Sequence, residues 1–372
     1  MADNKNKKVL NVPALRFPEF TEEWESVLLE DVAEFQKKRI SSDLLNNSNY
    51  ISTENILQNF GGVQNSISIP ANTNVIEYQR GDVLLSNIRP YLKKVWLSDR
   101  HGGCSADVFV LRGNQCERRF LYYVIASDRF INFVMSGAKG VKMPRGDKSQ
   151  MEKFAFFIPT NVEQKKIAMF LSMLDERIRL QNKIIEKLET LIKGIRNNII
   201  FKIKGDCIAL QDIADIYQPQ TIASTDLTED GYLVYGANGI IGKYHSFNHE
   251  KEQICITCRG NTCGTVNFTE PKSWITGNAM VINTDNYAKN VNKRYLFHYL
   301  SSINFNSIIS GSGQPQIVRQ PLAKLKLILP VLIIQNRIAE CLDAMFAKMK
   351  NEQSFLQILQ IQKSCLLSQM FI

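Results

Sequence analysis

Cysteine and histidine are the residue types best equipped for chemistry in this chain, and one cluster gathers them. Cys255-x-x-Cys258 is followed by Cys263 and preceded by His245 and His249. Thiolate and imidazole at such spacing are zinc donors. Two features oppose that reading. Ile254-Cys255-Ile256-Thr257 has the pattern of a strand, which turns alternate side chains to opposite faces. An internal repeat also sets Leu84, Asn87 and Leu92 opposite the three cysteines. No metal is therefore expected, and the eight scattered cysteines read as reduced thiols of a cytosolic protein. His101, His245, His249 and His298 have no motif-like acidic or nucleophilic partner, and no G-x-x-x-x-G-K-[ST] loop is present. Gly260-Asn261-Thr262-Cys263-Gly264 reads as a turn. No catalytic residue is assigned.

Recognition chemistry is better represented. Residues 137–145 carry Lys139, Lys142 and Arg145 between glycines, with Lys148 just beyond. A counterpart, residues 311–316, carries Gln314 and Gln316 and runs on to Arg319. Residues 87–94 hold Arg89, Tyr91, Lys93 and Lys94; residues 258–261 hold Arg259 and Asn261; a third loop holds Asn238, Lys243 and Tyr244. Arginine and lysine suit guanine edges and phosphates, and glutamine can pair bidentately with adenine. Glycine lets a backbone approach closely. Lys37-Lys38-Arg39 reads as a charged helix end.

The elements that carry these loops are written twice. Phe157-Ile158-Pro159, with Glu163-Gln164-Lys165-Lys166-Ile167-Ala168 after it, returns as Ile328-Leu329-Pro330 and Ile334-Gln335-Asn336-Arg337-Ile338-Ala339, a shift of 330 − 159 = 171 residues. The same shift aligns Asp82-Val83-Leu84-Leu85-Ser86 with Gln253-Ile254-Cys255-Ile256-Thr257, and Asp107-Val108-Phe109-Val110-Leu111 with Asn278-Ala279-Met280-Val281-Ile282. Leu29-Glu30-Asp31-Val32 matches Leu210-Gln211-Asp212-Ile213 at a shift of 181, and the ten-residue difference is assigned to a loop of the second copy. Each copy joins short strands and amphipathic helices, expected over 120–135 and 295–309, to one long helix.

The first long helix is expected to open with a capping box at Thr160-Asn161-Val162-Glu163. Its apolar residues keep a 3.5-residue period through Ile167, Leu171, Leu174, Ile178, Ile185, Leu188 and Ile192, interrupted at Gln181. The second repeats it through Ile338, Leu342, Met345, Leu356 and Leu359, interrupted at Glu352 and Lys363. That period marks a coiled-coil seam. The expectation is an α+β chain with a pseudo-two-fold repeat. Two mixed α/β recognition domains (1–160 and 204–331) alternate with two helices (161–203 and 332–372) that pair as an antiparallel coiled coil.

Over 372 residues the formal charge is +9, with a pI near 9.0 and a mean hydropathy of −0.17. A polyanionic partner is compatible with this excess. No apolar run approaches the ~20 residues of a membrane span, and the basic segment 1–8 has no apolar stretch behind it. A cytoplasmic protein without a membrane partner is expected.

In the order and duplication of these features the chain resembles the DNA specificity subunit of type I restriction-modification enzymes. Val12-Pro13-Ala14-Leu15-Arg16-Phe17-Pro18-Glu19-Phe20 with Trp24 looks like the opening of such subunits, Glu163-Gln164-x-x-Ile167-Ala168 like their helix starts, and Leu366-Leu367-Ser368-Gln369-Met370-Phe371 like their ending. Ile334 departs from the pattern, which has an acidic residue before Gln335. The resemblance covers essentially the whole chain. It implies two target-recognition domains, each reading one part of a split, asymmetric site in double-stranded DNA. It also implies docking of two methyltransferase subunits and recruitment of motor/nuclease subunits. The chain itself would hold no cofactor, with S-adenosylmethionine, ATP and Mg on the partners. The Asn-Pro-Pro-aromatic tetrapeptide that adenine methylation in this class would need is missing. The rival reading is a coiled-coil scaffold that binds proteins alone.

Overall fold

The computed structural model describes residues 11–237, 239–311 and 313–371; the basic segment 1–8, Asn238 and Ser312 lie outside the described residues. The chain divides into two compact units. The first comprises the residues up to Gln181 with those from Leu356 on, and the second comprises Asn182–Phe355.

In the first unit, strand Val83–Ser86 is buried along its whole length. It lies inside a four-stranded sheet ordered Ala33–Phe35, Val108–Gly113, Val83–Ser86, Val95–Leu97. Strand periodicity sends Val83 and Leu85 into one core with Phe120, Leu121, Ile125 and Phe130 of the helices. Leu84 points the other way, into a smaller core with Ile51, Ile56, Tyr78 and Trp96. A strand covered on both faces reads as an unbroken apolar run, as this one does. The second unit repeats the plan with Asp215–Tyr217, Ala279–Asn283, Ile254–Thr257 and Val266–Phe268. Ile254 and Ile256 enter its larger core and Cys255 its smaller one.

Each domain is closed by an antiparallel strand pair directly before its long helix. Glu25 lies opposite Ile158 in the first unit, and Asp206 opposite Leu329 in the second. The units differ in their other sheets. The first has four strands, ordered Arg39–Ser41, Asn74–Tyr78, Gly102–Cys104, Tyr50–Ile51, and the second has three, ordered Gly239–Tyr244, Tyr232–Gly236, Trp274–Ile275. Here the sequence expectation is corrected. The ten extra residues belong to the first copy, since 82 − 29 = 53 but 253 − 210 = 43. They fall where the larger sheet is built. Lys37-Lys38-Arg39 leads into a strand and is not a helix end.

Two more expectations are corrected. The stretch 120–135 is two helices, Arg118–Ile125 and Asp128–Ser136, because Ser127 caps the second, accepting from the Phe130 N–H at 3.2 Å. The stretch 295–309 keeps helix only over Lys293–Leu300. A 3₁₀ turn, Phe305–Ile308, follows behind an Asn304 cap, and then the short strand Ile309–Ser310.

The linking helix Asn161–Lys202 and the terminal helix Leu332–Met370 carry the heptads. Every seam position is buried or half-buried, including Gln181, Glu352 and Lys363. In the first unit Ile167 and Leu171 share a core with Met370, and Asp175 pairs with Lys363 at 2.5 Å, so the start of one helix runs against the end of the other. In the second unit the core of Ile338 and Leu342 takes in Ile195, Ile199 and Ile200. Lys363 interrupts the apolar period because Asp175 is there to receive it; the same carboxylate accepts the Tyr123 hydroxyl at 2.7 Å.

Glu163 does not close the expected capping box. Its carboxylate, 1% exposed, accepts two bonds from the Arg16 guanidinium, at 2.7 and 2.8 Å. The next residue holds the helix start in both units. Gln164 donates to the Pro159 carbonyl and accepts from the Glu117 N–H, while Gln335 donates to the Pro330 carbonyl and accepts from the Asn292 N–H. The departure at Ile334 follows from this. Only three residues separate the linking helix from strand Asp206–Ala209, so the second copy has no segment to supply an arginine.

Candidate nucleic-acid interface

The cysteine cluster is dispersed by the fold. Cys255 and Cys258 lie in different cores, and burial pushes the Cys255 thiol up to about 12 and raises that of Cys258. Among the described residues no three His, Cys, Asp or Glu side chains are grouped to hold a metal ion.

The loops, by contrast, are gathered, each set within its own unit. In the first, residues 87–89 lie against 144–146. The Arg89 N–H donates to the Pro144 carbonyl at 2.8 Å, the Gly146 N–H donates to the Asn87 carbonyl at 3.2 Å, and Ile88 and Arg145 form a bridge. In the second, the Gly260 N–H donates to the Pro315 carbonyl at 3.1 Å, the Ile317 N–H to the Cys258 carbonyl at 3.0 Å, and Arg259 bridges Gln316. All three contacts recur at a shift of 171 residues. The two units thus build one loop scaffold twice and place different side chains on it.

A further loop joins each pair: the one around residues 53–60 was not singled out in the sequence, whereas the one at Ala237 belongs to the third loop already singled out there. Asn59 and Phe60 donate their N–H groups to the Leu92 and Lys93 carbonyls at 3.0 and 2.9 Å, and Lys94 reaches the Thr53 carbonyl at 2.6 Å. In the second unit the Thr257 and Thr262 hydroxyls both donate to the Ala237 carbonyl, at 2.8 and 2.7 Å. Asn59, Phe60, Arg89 and Lys93 all have left-handed backbones, four of the six described non-glycine residues with positive φ. Each costs on the order of 1 kcal/mol, and such strain gathers where a loop is held in one shape. The readable signal was faint: Asn59-Phe60-Gly61-Gly62 is a turn composition.

The candidate side chains are not equally available. Lys142, Arg89 and Tyr91 are exposed at the cluster. Lys139 pairs with Asp147 at 2.8 Å, a bond that raises the lysine pKa and lowers that of the aspartate. Arg145 pairs with Asp107 at 3.2 Å, Lys93 with Asp128 at 2.6 Å, and Lys148 with Glu152 at 3.4 Å while its ammonium stands over the Phe35 ring. Arg259, Asn261, Gln314 and Gln316 are exposed on the second cluster. Arg319 instead opens a short helix and lines a cavity of about 480 Å³ with Gln211, Asp215 and Tyr217. Lys243 and Tyr244 stand at the far end of their strand from the loop at Ala237, with Lys243 near Asp230 and Tyr244 against Trp274. Asn238 lies outside the described residues.

The linking helix adds a feature absent from the sequence reading. Met169, Met173, Leu180, Ile184 and Leu191 lie off the seam at spacings of 4, 7, 4 and 7, and each is 45–57% exposed. Among the described residues no helix is long and apolar enough to cross a membrane.

Comparison with known proteins gives one consistent result. The model of the type I restriction modification DNA specificity domain matches twice, over residues 21–190 and 206–360. The type I restriction enzyme EcoprrI specificity subunit of Escherichia coli is 28% identical over 169 residues, 44% of this chain and 41% of that protein. A putative type I restriction enzyme specificity subunit of Haemophilus influenzae is 28% identical over 116 residues, 30% of this chain and 29% of its own length. The matched segments thus span less than half of either relative. The crystal structure of a type I restriction-modification system S subunit from M. genitalium superposes with a TM-score of 0.67 at 16% identity, covering 97% of this chain and 99% of that one. A second structure, from work on complex assembly and conformational transition of the type I R-M system, gives 0.57 at 19% identity over 92% and 96%. At these identities the structures speak for the fold.

Proposed function

Because the chain belongs to the type I restriction-modification DNA specificity family, we propose that it reads a bipartite, asymmetric duplex site, one part through each unit, for partner subunits that carry out the chemistry. The observation that carries this reading is the loop scaffold repeated at a shift of 171 residues with different side chains upon it. The first copy offers Arg89, Tyr91, Lys139, Lys142 and Arg145, which suit guanine edges and phosphates. The second offers Arg259, Asn261, Gln314 and Gln316, a set with more amide than charge, suited to adenine edges. Phosphate contacts would position each unit, and base contacts would give the two parts of the site different sequences.

The chain serves as a non-catalytic, cytoplasmic subunit in this reading. Two methyltransferase subunits bring S-adenosylmethionine, and motor/nuclease subunits bring ATP and Mg. The exposed apolar stripe of the linking helix supports its use as a docking surface, since a periodic stripe left in water is ready to be covered.

The test is an exchange. Residues 204–331 are replaced by the equivalent segment of another family member, the chain is assembled with its methyltransferase subunits, and methylated adenines are sequenced. One part of the site is expected to change and the other to persist. A change in both parts, or methylation without sequence preference, counts against the reading.

A further inference from the structure

We propose that Val141 contacts the C5 methyl group of a thymine in the major groove, a specificity contact that rests on the reading of this loop cluster as a DNA interface. Lys139 and Arg145 exchange both backbone hydrogen bonds at 2.9 Å, closing a hairpin whose turn begins at Gly140 with φ +96°. The base of the hairpin is held against the neighbouring loop by the Arg89–Pro144 and Gly146–Asn87 backbone bonds. At its tip Val141 is 99% exposed and Met143 48%.

A single apolar residue in water is ordinary on any surface. Val141 is distinguished by its setting. It projects from a turn closed by a single antiparallel bridge between Lys139 and Arg145, an element narrower than the two-stranded ribbon that the major groove can admit. Lys142 beside it makes no ion pair among the described residues, while Lys139 and Arg145 at the base of the turn are paired with Asp147 and Asp107, so Lys142 is the cation left beside the apolar tip. A groove of polyanion walls and base-edge floor suits that pair: the Lys142 ammonium outward to phosphate, the Val141 methyl groups inward. Thymine alone presents a methyl group there, and a valine side chain has no donor or acceptor with which to read another base.

The second unit supplies the internal comparison. The same turn recurs with Gly311 at φ +91° in place of Gly140 and Pro315 in place of Pro144. There Gln314 replaces Met143, Gln316 replaces Arg145, and the residue aligned with Val141 is a serine. One scaffold thus carries an apolar reader in the first unit and a hydrogen-bonding reader in the second.

The experiment uses the full chain assembled with its methyltransferase subunits, on duplexes carrying the site identified by sequencing methylated DNA. Each thymine across the site is replaced in turn by deoxyuridine, which removes only the methyl group. One replacement is expected to weaken wild-type binding about fourfold, the worth of one buried methyl-sized group. Val141→Ser should bind that duplex and its parent equally, with the salt dependence unchanged, and Val141→Ile should retain the preference. The proposal is overturned if Val141→Ser still discriminates, or if no replacement weakens the wild type while specific binding persists. Loss of all sequence preference in the wild-type assembly would overturn the DNA reading itself.

Discussion

The Arg16–Glu163 pair should govern the stability of the first unit, and the chain contains its own control. The Glu163 carboxylate is 1% exposed and receives two guanidinium bonds from Arg16, itself 12% exposed. Arg16→Met keeps most of the aliphatic stem and removes the charge, which leaves a buried carboxylate unpaired. Breaking a buried pair in this way costs about 3–5 kcal/mol. For a unit of this size 1 kcal/mol moves the midpoint by about 2–4 °C, so a fall of about 6–20 °C is expected. In the double variant Arg16→Met/Glu163→Ile the unpaired charge is gone, and the position carries the residue found at Ile334 in the second copy. Replacing both partners of a buried pair with apolar groups is often neutral, so the double variant should recover most of the loss. Differential scanning calorimetry of the full chain reads the two cases. If single and double variants melt together, the destabilisation comes from lost packing, and the uncompensated-charge argument is refuted.

Three other outcomes are expected. Lys142→Ala should weaken duplex binding and lower the log–log salt slope by about 0.9 if its ammonium meets one phosphate; an unchanged slope puts the turn away from the backbone. Burial lowers the pKa of His298, whose Nε2 meets Asp343 at 2.8 Å, with Arg196 and Arg294 opposing its charge, Asp343 favouring it and Phe346 stacked on the ring. The unfolded chain therefore binds the extra proton first. The stability tied to this group is present above pH ~6.5 and declines as pH falls toward the folded-state value. His298→Gln should flatten that part of the stability–pH curve of the second unit, leaving the share of His249, which burial also lowers; an unaltered curve would show that His298 does not titrate between the two states. Met173→Asp with Leu180→Asp should abolish co-purification of a methyltransferase subunit while lowering the melting temperature only slightly, because each side chain is already about half exposed, 57% and 47%; retained co-purification would place docking elsewhere.

What the sequence determined by itself were the features set by near neighbours in the chain or by its own duplication. The 3.5-residue period located both long helices, because a coiled-coil seam needs that spacing and no other. The apolar runs Val83–Leu85 and Ile254–Ile256 announced strands, and the 171-residue shift survived because buried strands and helix starts tolerate little change. The same local logic failed where a local cue was passed over: Ser127 and Asn304 are caps that cut the expected helices short. Only the tertiary structure decided the rest. Arg16 meets Glu163 across 147 positions, and a capping-box pattern cannot reveal that a distant guanidinium will outcompete the backbone for the same carboxylate. Nor could loop composition tell that Lys93, Lys139 and Arg145 have carboxylates of their own, that Lys243 stands away from the loop cluster, or that residues 53–60 join it. Apart from the Lys139–Asp147 pair, eight residues apart, those are long-range backbone and charge contacts, formed when sheet register and helix packing bring remote segments together. They leave no period in the sequence because each needs only one residue at each end.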